Sequence, residues 1–149
     1  MKTRSVVAAV LAWTAVLLPL HVRGELPVIR LNAGIHVIRA EVANTFETRA
    51  RGLMYRKSLA ANQGMLFVFP GLERHCMWMK NTPLPLSVAF IDEGGEVVSI
   101  SEMVPHSEDS HCAARPARYA LEMSKGWFAG KGIRPGAKLQ GLNKAPSPQ

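Results

Sequence analysis

The chain is poor in the signatures that usually announce an activity. It has two cysteines in 149 residues, and no C-x-x-C, H-x-x-x-H or M-x-x-x-M spacing, so the common paired-ligand patterns of a metal centre are missing. No G-x-S-x-G frame is present to expose a serine nucleophile. Basic residues outnumber acidic ones, 18 to 11, but they are scattered, with no lysine run and no interleaved aromatics. That distribution argues against a nucleic-acid partner. No internal repeat and no interior linker divides the chain. Frequent glycines and prolines break every stretch that might otherwise form a long helix, which excludes a helical bundle.

The one extended apolar run is at the start. Lys2 and Arg4 precede a nearly unbroken apolar stretch from Val6 to Leu20. Val22 and Gly24 then supply small residues at the −3 and −1 positions of a peptidase site. This tripartite pattern predicts a secretory leader over residues 1–24. The run falls short of the roughly 20 residues a spanning helix requires, so no stable transmembrane segment is expected after cleavage. Three of the 18 basic residues (Lys2, Arg4 and Arg23) leave with the leader, so fifteen face 11 acidic ones and the net charge falls to +4. The expected product is a periplasmic or secreted domain over residues 25–143, followed by a disordered Pro-Ser-Pro tail at 144–149.

Export changes the meaning of Cys76 and Cys112. An even cysteine count in an oxidising compartment points to a disulfide between them. Closing a loop of that size is worth about 4 kcal/mol on chain-entropy grounds.

Residues 27–31 and 35–43 read as a hairpin. Asn44 and Glu47 stand at capping-box spacing, predicting a short helix from Thr45 to Arg51 that stops at Gly52; a further helical turn is expected within residues 53–62. Gly64-Met-Leu-Phe-Val-Phe-Pro70 is a continuous apolar run bounded by breakers, as in a strand buried on both faces. Glu93-Gly94-Gly95 joins residues 86–92 and 96–103 in the clearest hairpin of the chain. Residues 106–116 read as a polar loop. Ala117 to Met123 alternates, with Tyr119, Leu121 and Met123 on a core face and Arg118, Ala120 and Glu122 on an exposed one. Ser124 is placed to cap a short helix ending near Gly130, and a last strand is expected over residues 137–142. Seven or eight short strands and two short helices predict a mainly β fold, a compact antiparallel β-sandwich or barrel.

The densest chemistry lies in "RHCMWMKNTPLPL", residues 74–86. His75, Met77, Met79 and His111 offer imidazole and thioether ligands suited to copper. Adjacent residues of an extended segment point to opposite faces, however, so His75 and Cys76 do not readily share one ion, and methionines commonly fill core gaps. A second constellation joins Arg51 and Arg56 to Trp78, Lys80, Asn81 and Thr82. Arginines beside a helix end suit a carboxylate or phosphate, and Trp78 supplies an amphipathic wall. Arg118 and Glu122 complete this candidate surface. Glu122 also allows a hydrolase-type reading, with a carboxylate lining a concave site.

The segments "RGLMYRKSL", "GMLFVFP", "MWMKNTPLPLSVAFID", "GEVVSI", "PARYALEMSKGW" and "GIRPGAKL" occur here in that order. Together they resemble the domain of unknown function 192 family, over roughly Gly34 to Leu142. The resemblance implies a small, often exported, jelly-roll-like β protein of unestablished activity. Its motif falls on Arg51, Gly52, Leu53, Met54, Arg56, Gly64, Met65, Trp78, Met79, Asn81, Thr82, Pro85, Leu86 and Glu122. Where many members carry Asp after the Pro-Leu, this chain has Ser87. The leading expectation is a non-catalytic module binding a small polar ligand or an envelope component, with no cofactor. A soft-metal protein and a hydrolase are the alternatives.

Overall fold

The computed structural model describes residues 24–149; the leader expected over residues 1–24 thus lies, but for Gly24, outside the described residues. Among these, no helix is long and apolar enough to cross a membrane.

The described residues form nine strands: β1 Val28–Ala33, β2 His36–Ala43, β3 Gln63–Glu73, β4 Cys76–Met77, β5 Leu86–Ile91, β6 Val97–Met103, β7 His111–Cys112, β8 Ala117–Ser124 and β9 Leu139–Gln140. Seven form one sheet in the order β6-β5-β8-β3-β2-β1-β9, and β4 pairs with β7 in a separate ribbon. The mainly β architecture with two short helices is as the spacing predicts, realised as a single sheet curled into a half-barrel. One pairing departs from an antiparallel plan: β2 and β3 run parallel. Residues 44–62 supply the crossover that a parallel pair requires.

Helix α1, Phe46–Arg51, begins one residue later than the Asn44–Glu47 spacing predicts. Its cap is Thr45, which exchanges hydrogen bonds with Thr48: Thr48 N donates to Thr45 Oγ1 at 3.1 Å and Thr45 N to Thr48 Oγ1 at 3.0 Å. Asn44 is instead buried, and its Nδ2 donates to the Ser147 carbonyl at 2.8 Å. Gln149 N donates to the Asn44 carbonyl at 2.7 Å, so the tail expected to be disordered is hydrogen-bonded to the domain. The helical turn expected within 53–62 is irregular chain with turns at 53–55 and 61–62. Ser124 ends β8 and caps nothing; α2, Trp127–Gly130, starts from Gly126 in the left-handed region. The loop expected over 106–116 contains β7.

The central strands β3, β5 and β8 are buried on both faces. Leu66, Val68, Ala89, Ile91, Leu121 and Met123 face the inside of the half-barrel, where α2 adds Phe128. The alternate residues Met65, Phe67, Val88, Phe90 and Ala120 face a second apolar layer. Its cover comes from outside the sheet: Leu53 after α1, Met79 after β4, and Ala113 after β7. Each fully buried aliphatic or aromatic side chain contributes about 1.5–3 kcal/mol, so the second layer is a core in its own right. Gly64 shows how close its strands approach. A Cβ there would lie 2.4 Å from the Glu122 carbonyl and 2.3 Å from Met123 Sδ.

Cys76 and Cys112 form the expected disulfide, on directly opposed positions of the β4–β7 ribbon. It anchors the segment that carries Met77, Trp78 and Met79 over the second layer. Replacing both cysteines by alanine is expected to lower unfolding free energy by about 2–4 kcal/mol. Denaturant unfolding of the oxidised protein and the double variant measures the difference.

Candidate functional site

Strand β8 places residue 122. Its neighbours in the sheet are Met65 on β3 and Val88 on β5. Because the face they share is covered, Glu122 is only 3 % exposed. This corrects the reading of residues 118, 120 and 122 as an exposed face: β8 alternates between two buried layers, and the charge at 122 disguises the second. No hydrogen bond to the Glu122 side chain is formed among the described residues, and since no fully enclosed side-chain oxygen there lacks a partner, its carboxyl keeps a small opening to its surroundings. Burial pushes its carboxyl from the ordinary 4.5 up to about 8, because low-dielectric surroundings disfavour the anion and nothing offsets the loss of water. At neutral pH the group is a neutral acid, with one proton to donate.

Glu122 borders a small cavity that is also lined by the end of α1 and by the residues that follow β4. Phe67 and Leu53 supply apolar wall, and Met77, Trp78, Thr82 and the exposed Arg51 also line it. The cavity volume is ≈ 20 Å³, enough for a single water-sized group. Gly52 lies on the ring of Phe67 at positive φ; a Cβ there would be 3.1 Å from Phe67 Cζ. That contact lets the chain turn from α1 directly onto the sheet.

The turn after α1 and the turn after Trp78 are braced against each other. Tyr55 N donates to the Asn81 carbonyl at 2.8 Å, and His106 N donates to the Thr82 carbonyl at 3.1 Å. Tyr55, Asn81 and His106 all have positive φ, at 63°, 54° and 63°. Left-handed backbone is unfavourable for a bulky residue such as Tyr55, and such residues cluster at functional sites. Thr82, 5 % exposed, donates its hydroxyl to the Lys80 carbonyl at 3.1 Å.

Of the sequence-predicted set, Arg51, Trp78, Thr82 and Glu122 come together at this cavity. Trp78 is 46 % exposed. Lys80 Nζ lies 5.2 Å from the centre of the Trp78 ring, a cation–π contact, and 3.9 Å from Glu108. Asn81 contributes its backbone to the brace. Arg56 is drawn aside into a two-pronged pair with Glu41, with Nη1 2.7 Å from Oε1; hydrogen bonding to Glu41 raises its pKa. Arg118 is elsewhere and donates to the Pro70 carbonyl at 2.7 Å. Arg49 also borders the cavity, but its guanidinium is committed to the Asn44, Val68 and Gln149 carbonyls.

The soft-ligand alternative is dispersed. Met79 is fully buried among the second layer. His75 stacks on Phe69 at 3.7 Å, with Nε2 2.9 Å from the Gly71 carbonyl. Only Met77 and His111 oppose each other, in the ribbon. Among the described residues no cluster of three or more His, Cys, Asp or Glu is placed to hold an ion. Ser87 is buried on the other face of the sheet from Glu122. Its hydroxyl donates to Glu102 at 2.8 Å and accepts from Gly126 N at 2.8 Å, tying β5 to α2's entry.

A second, larger concavity adjoins the first. It has a volume of ≈ 1000 Å³ and shares Arg51, Gly52 and Met54 with the small cavity. Sequence reasoning missed it. Its floor residues, Arg39 and Glu41, are polar positions of β2 that read as ordinary exposed alternation.

The family model DUF192, described as an uncharacterized ACR, matches residues 28–141. Among solved structures the chain is similar to a protein of unknown function from Novosphingobium aromaticivorans DSM 12444, at 33% identity and a TM-score of 0.75, covering 83% of this chain and 91% of that one. It is also similar to a putative transcription regulator from Sinorhizobium meliloti 1021, at 37% identity and a TM-score of 0.71, covering 77% of this chain and 92% of that one. No curated protein matches the chain.

The buried acid has a measurable consequence. Between the ordinary carboxyl range and about pH 8, native Glu122 holds a proton that the unfolded chain has released. Stability is therefore fullest in the acid part of that window, falls as pH rises through neutrality, and levels off above about 8. Glu122→Gln is expected to flatten this slope and to be more stable than the parent at pH 8 by a few kcal/mol. Urea unfolding at intervals from pH 5 to 9 tests both statements.

Proposed function

The chain belongs to the DUF192 family, and on that footing we propose that it is an exported, non-catalytic domain that binds a small polar ligand through a carboxylate group. The observation that carries the reading is geometric: Glu122 is buried, has no hydrogen-bond partner among the described residues, and borders a small cavity that Arg51 also lines; burial raises its pKa to about 8. An acid kept neutral at physiological pH is a hydrogen-bond donor. A ligand carboxylate that places one oxygen in the cavity accepts from Glu122 and meets the Arg51 guanidinium at the rim. Hydrogen bonds to charged groups are worth roughly 1.5–3 kcal/mol each. Trp78 walls the approach with an amphipathic ring. Envelope saccharides and their fragments are the ligand source that suits an exported domain.

Two considerations set the alternatives lower. Glycoside hydrolysis in its usual form needs two carboxyl groups flanking the bond; among the described residues no second carboxylate borders the cavity, and Glu41 of the adjoining cleft is held by Arg56 in a two-pronged pair. The regulator description of the Sinorhizobium meliloti relative finds no support here. Arg39, Arg51 and Arg56 share their concavity with Glu41 and Glu47, whereas a DNA-reading surface is continuously basic.

D-galacturonate is a suitable probe, monitored by calorimetry or NMR. Its affinity is expected to be constant up to about pH 8 and to fall about tenfold per unit above it, as Glu122 ionises and repels the ligand. Arg51→Ala weakens binding about tenfold at every pH, and Glu122→Gln, still a donor, removes the pH dependence. Affinity that rises through pH 8 would mean that an ionised Glu122 receives a cation, and the carboxylate reading would be wrong.

A further inference from the structure

The two concavities lie on one face of the sheet. Glu41 on β2 is opposite Met65 on β3, and Met65 is opposite Glu122 on β8. Two inter-strand steps place the Glu41 and Glu122 backbones roughly 10 Å apart. The buried end of this row is the small cavity. The open end is the ≈ 1000 Å³ cleft over β2, bordered by Arg39, Glu41, Tyr55, Arg56 and Gln63, with Arg51 common to both. A ligand that fills only the cavity opening leaves the cleft unused.

The chemistry of the cleft selects the ligand's body. Strand β2 is paired with β1 on one side and β3 on the other, so its backbone groups are consumed and an extended peptide finds no free edge there to continue the sheet. Recognition falls to side chains. Arg56 and Glu41 hold each other in a two-pronged pair, a fixed polar platform of near-zero net charge. Arg39 is exposed beside it, and Tyr55 is 67 % exposed. Tyr55 sits in left-handed backbone whose N–H is fixed by the Asn81 carbonyl at 2.8 Å, which pins the ring's attachment point next to Met54, a residue that borders both concavities. An aromatic flank, an amide at Gln63 and charged groups of both signs, spread along an open cleft, suit the hydroxyl-studded, two-faced surface of a carbohydrate chain.

We infer that the cleft and the cavity form one elongated site for an acidic oligosaccharide, whose terminal carboxylate enters at Arg51 and Glu122 and whose following sugar lies along Tyr55 and Arg39. This rests on the carboxylate-binding reading above and names its substrate class.

The test compares D-galacturonate, its linear trimer, a neutral cello-oligosaccharide of the same length and tri-glutamate on the full chain, by calorimetry at pH 7. The trimer is expected to bind at least tenfold tighter than the monomer, and the neutral chain at least tenfold weaker than the trimer. Combining Arg39→Gln with Tyr55→Asn, which keeps a residue tolerant of left-handed backbone, should collapse the trimer-to-monomer ratio towards one. Circular dichroism checks that the double variant is folded. Monomer binding with no gain for the trimer overturns the elongated site and leaves the carboxylate reading intact. Tri-glutamate binding tighter than the trimer overturns the saccharide class. Absence of any binding by the three acidic probes overturns the underlying carboxylate reading as well.

Discussion

Strand β8 carries apolar layers on both of its faces, and the rest of the site follows from that. It lies between β5 and β3, near the middle of the sheet. Leu121 and Met123 face into the half-barrel, and Ala120 and Glu122 face the outer layer. A sheet with one solvated face would leave residue 122 in water, ionised and unremarkable. Here the outer face is roofed by the segment following α1 and by the β4–β7 ribbon with its adjoining turns. A carboxyl under that roof must find a partner, lose its charge, or border a gap that admits one. Glu122 does the second and third together.

The roof is built from irregular chain, which needs other means of rigidity than a ladder. Three are visible. The Cys76–Cys112 bond fixes the ribbon. Gly52, flat on Phe67, turns the chain sharply off α1. The Tyr55–Asn81 and His106–Thr82 hydrogen bonds join successive turns, and they do so with residues in left-handed backbone. Strain of this kind persists only when the surroundings over-determine it. Two of these residues adjoin the two concavities, Tyr55 as lining of the cleft and Asn81 next to Thr82 of the cavity, while a fourth left-handed residue, Asn62, stands before β3.

Much of the scaffold is legible in the sequence because it obeys local rules. Glu93-Gly94-Gly95 between two β-rich runs sets β5 and β6, and the unbroken run before Pro70 announces a strand covered on both sides. The β2–β3 parallel pairing is not legible, since nothing local distinguishes it from another antiparallel return. Its crossover contains only six helical residues, too few for a strong periodic signal. The cap of α1 slips by one residue because Thr48 answers Thr45 as readily as Glu47 would answer Asn44. The candidate site shows a sharper lesson. Arg51, Trp78, Thr82 and Glu122 are all identifiable as chemistry-bearing residues, but alternation puts Glu122 on an exposed face together with Arg118. Polarity is a proxy for exposure, and it fails at a buried functional acid. Arg56, one turn beyond Arg51, is diverted by Glu41, a pairing across the fold that sequence spacing does not reveal.

The account stands on the protonation of one side chain. Carbon-13 NMR of the glutamate side-chain carboxyls, with the Glu122 resonance assigned by its loss in Glu122→Gln, follows that state directly across pH 3 to 10. The account predicts a midpoint near 8 for Glu122. A midpoint in the ordinary carboxyl range would show the group to be solvated or paired, and would contradict the neutral, cavity-facing acid on which the binding site depends.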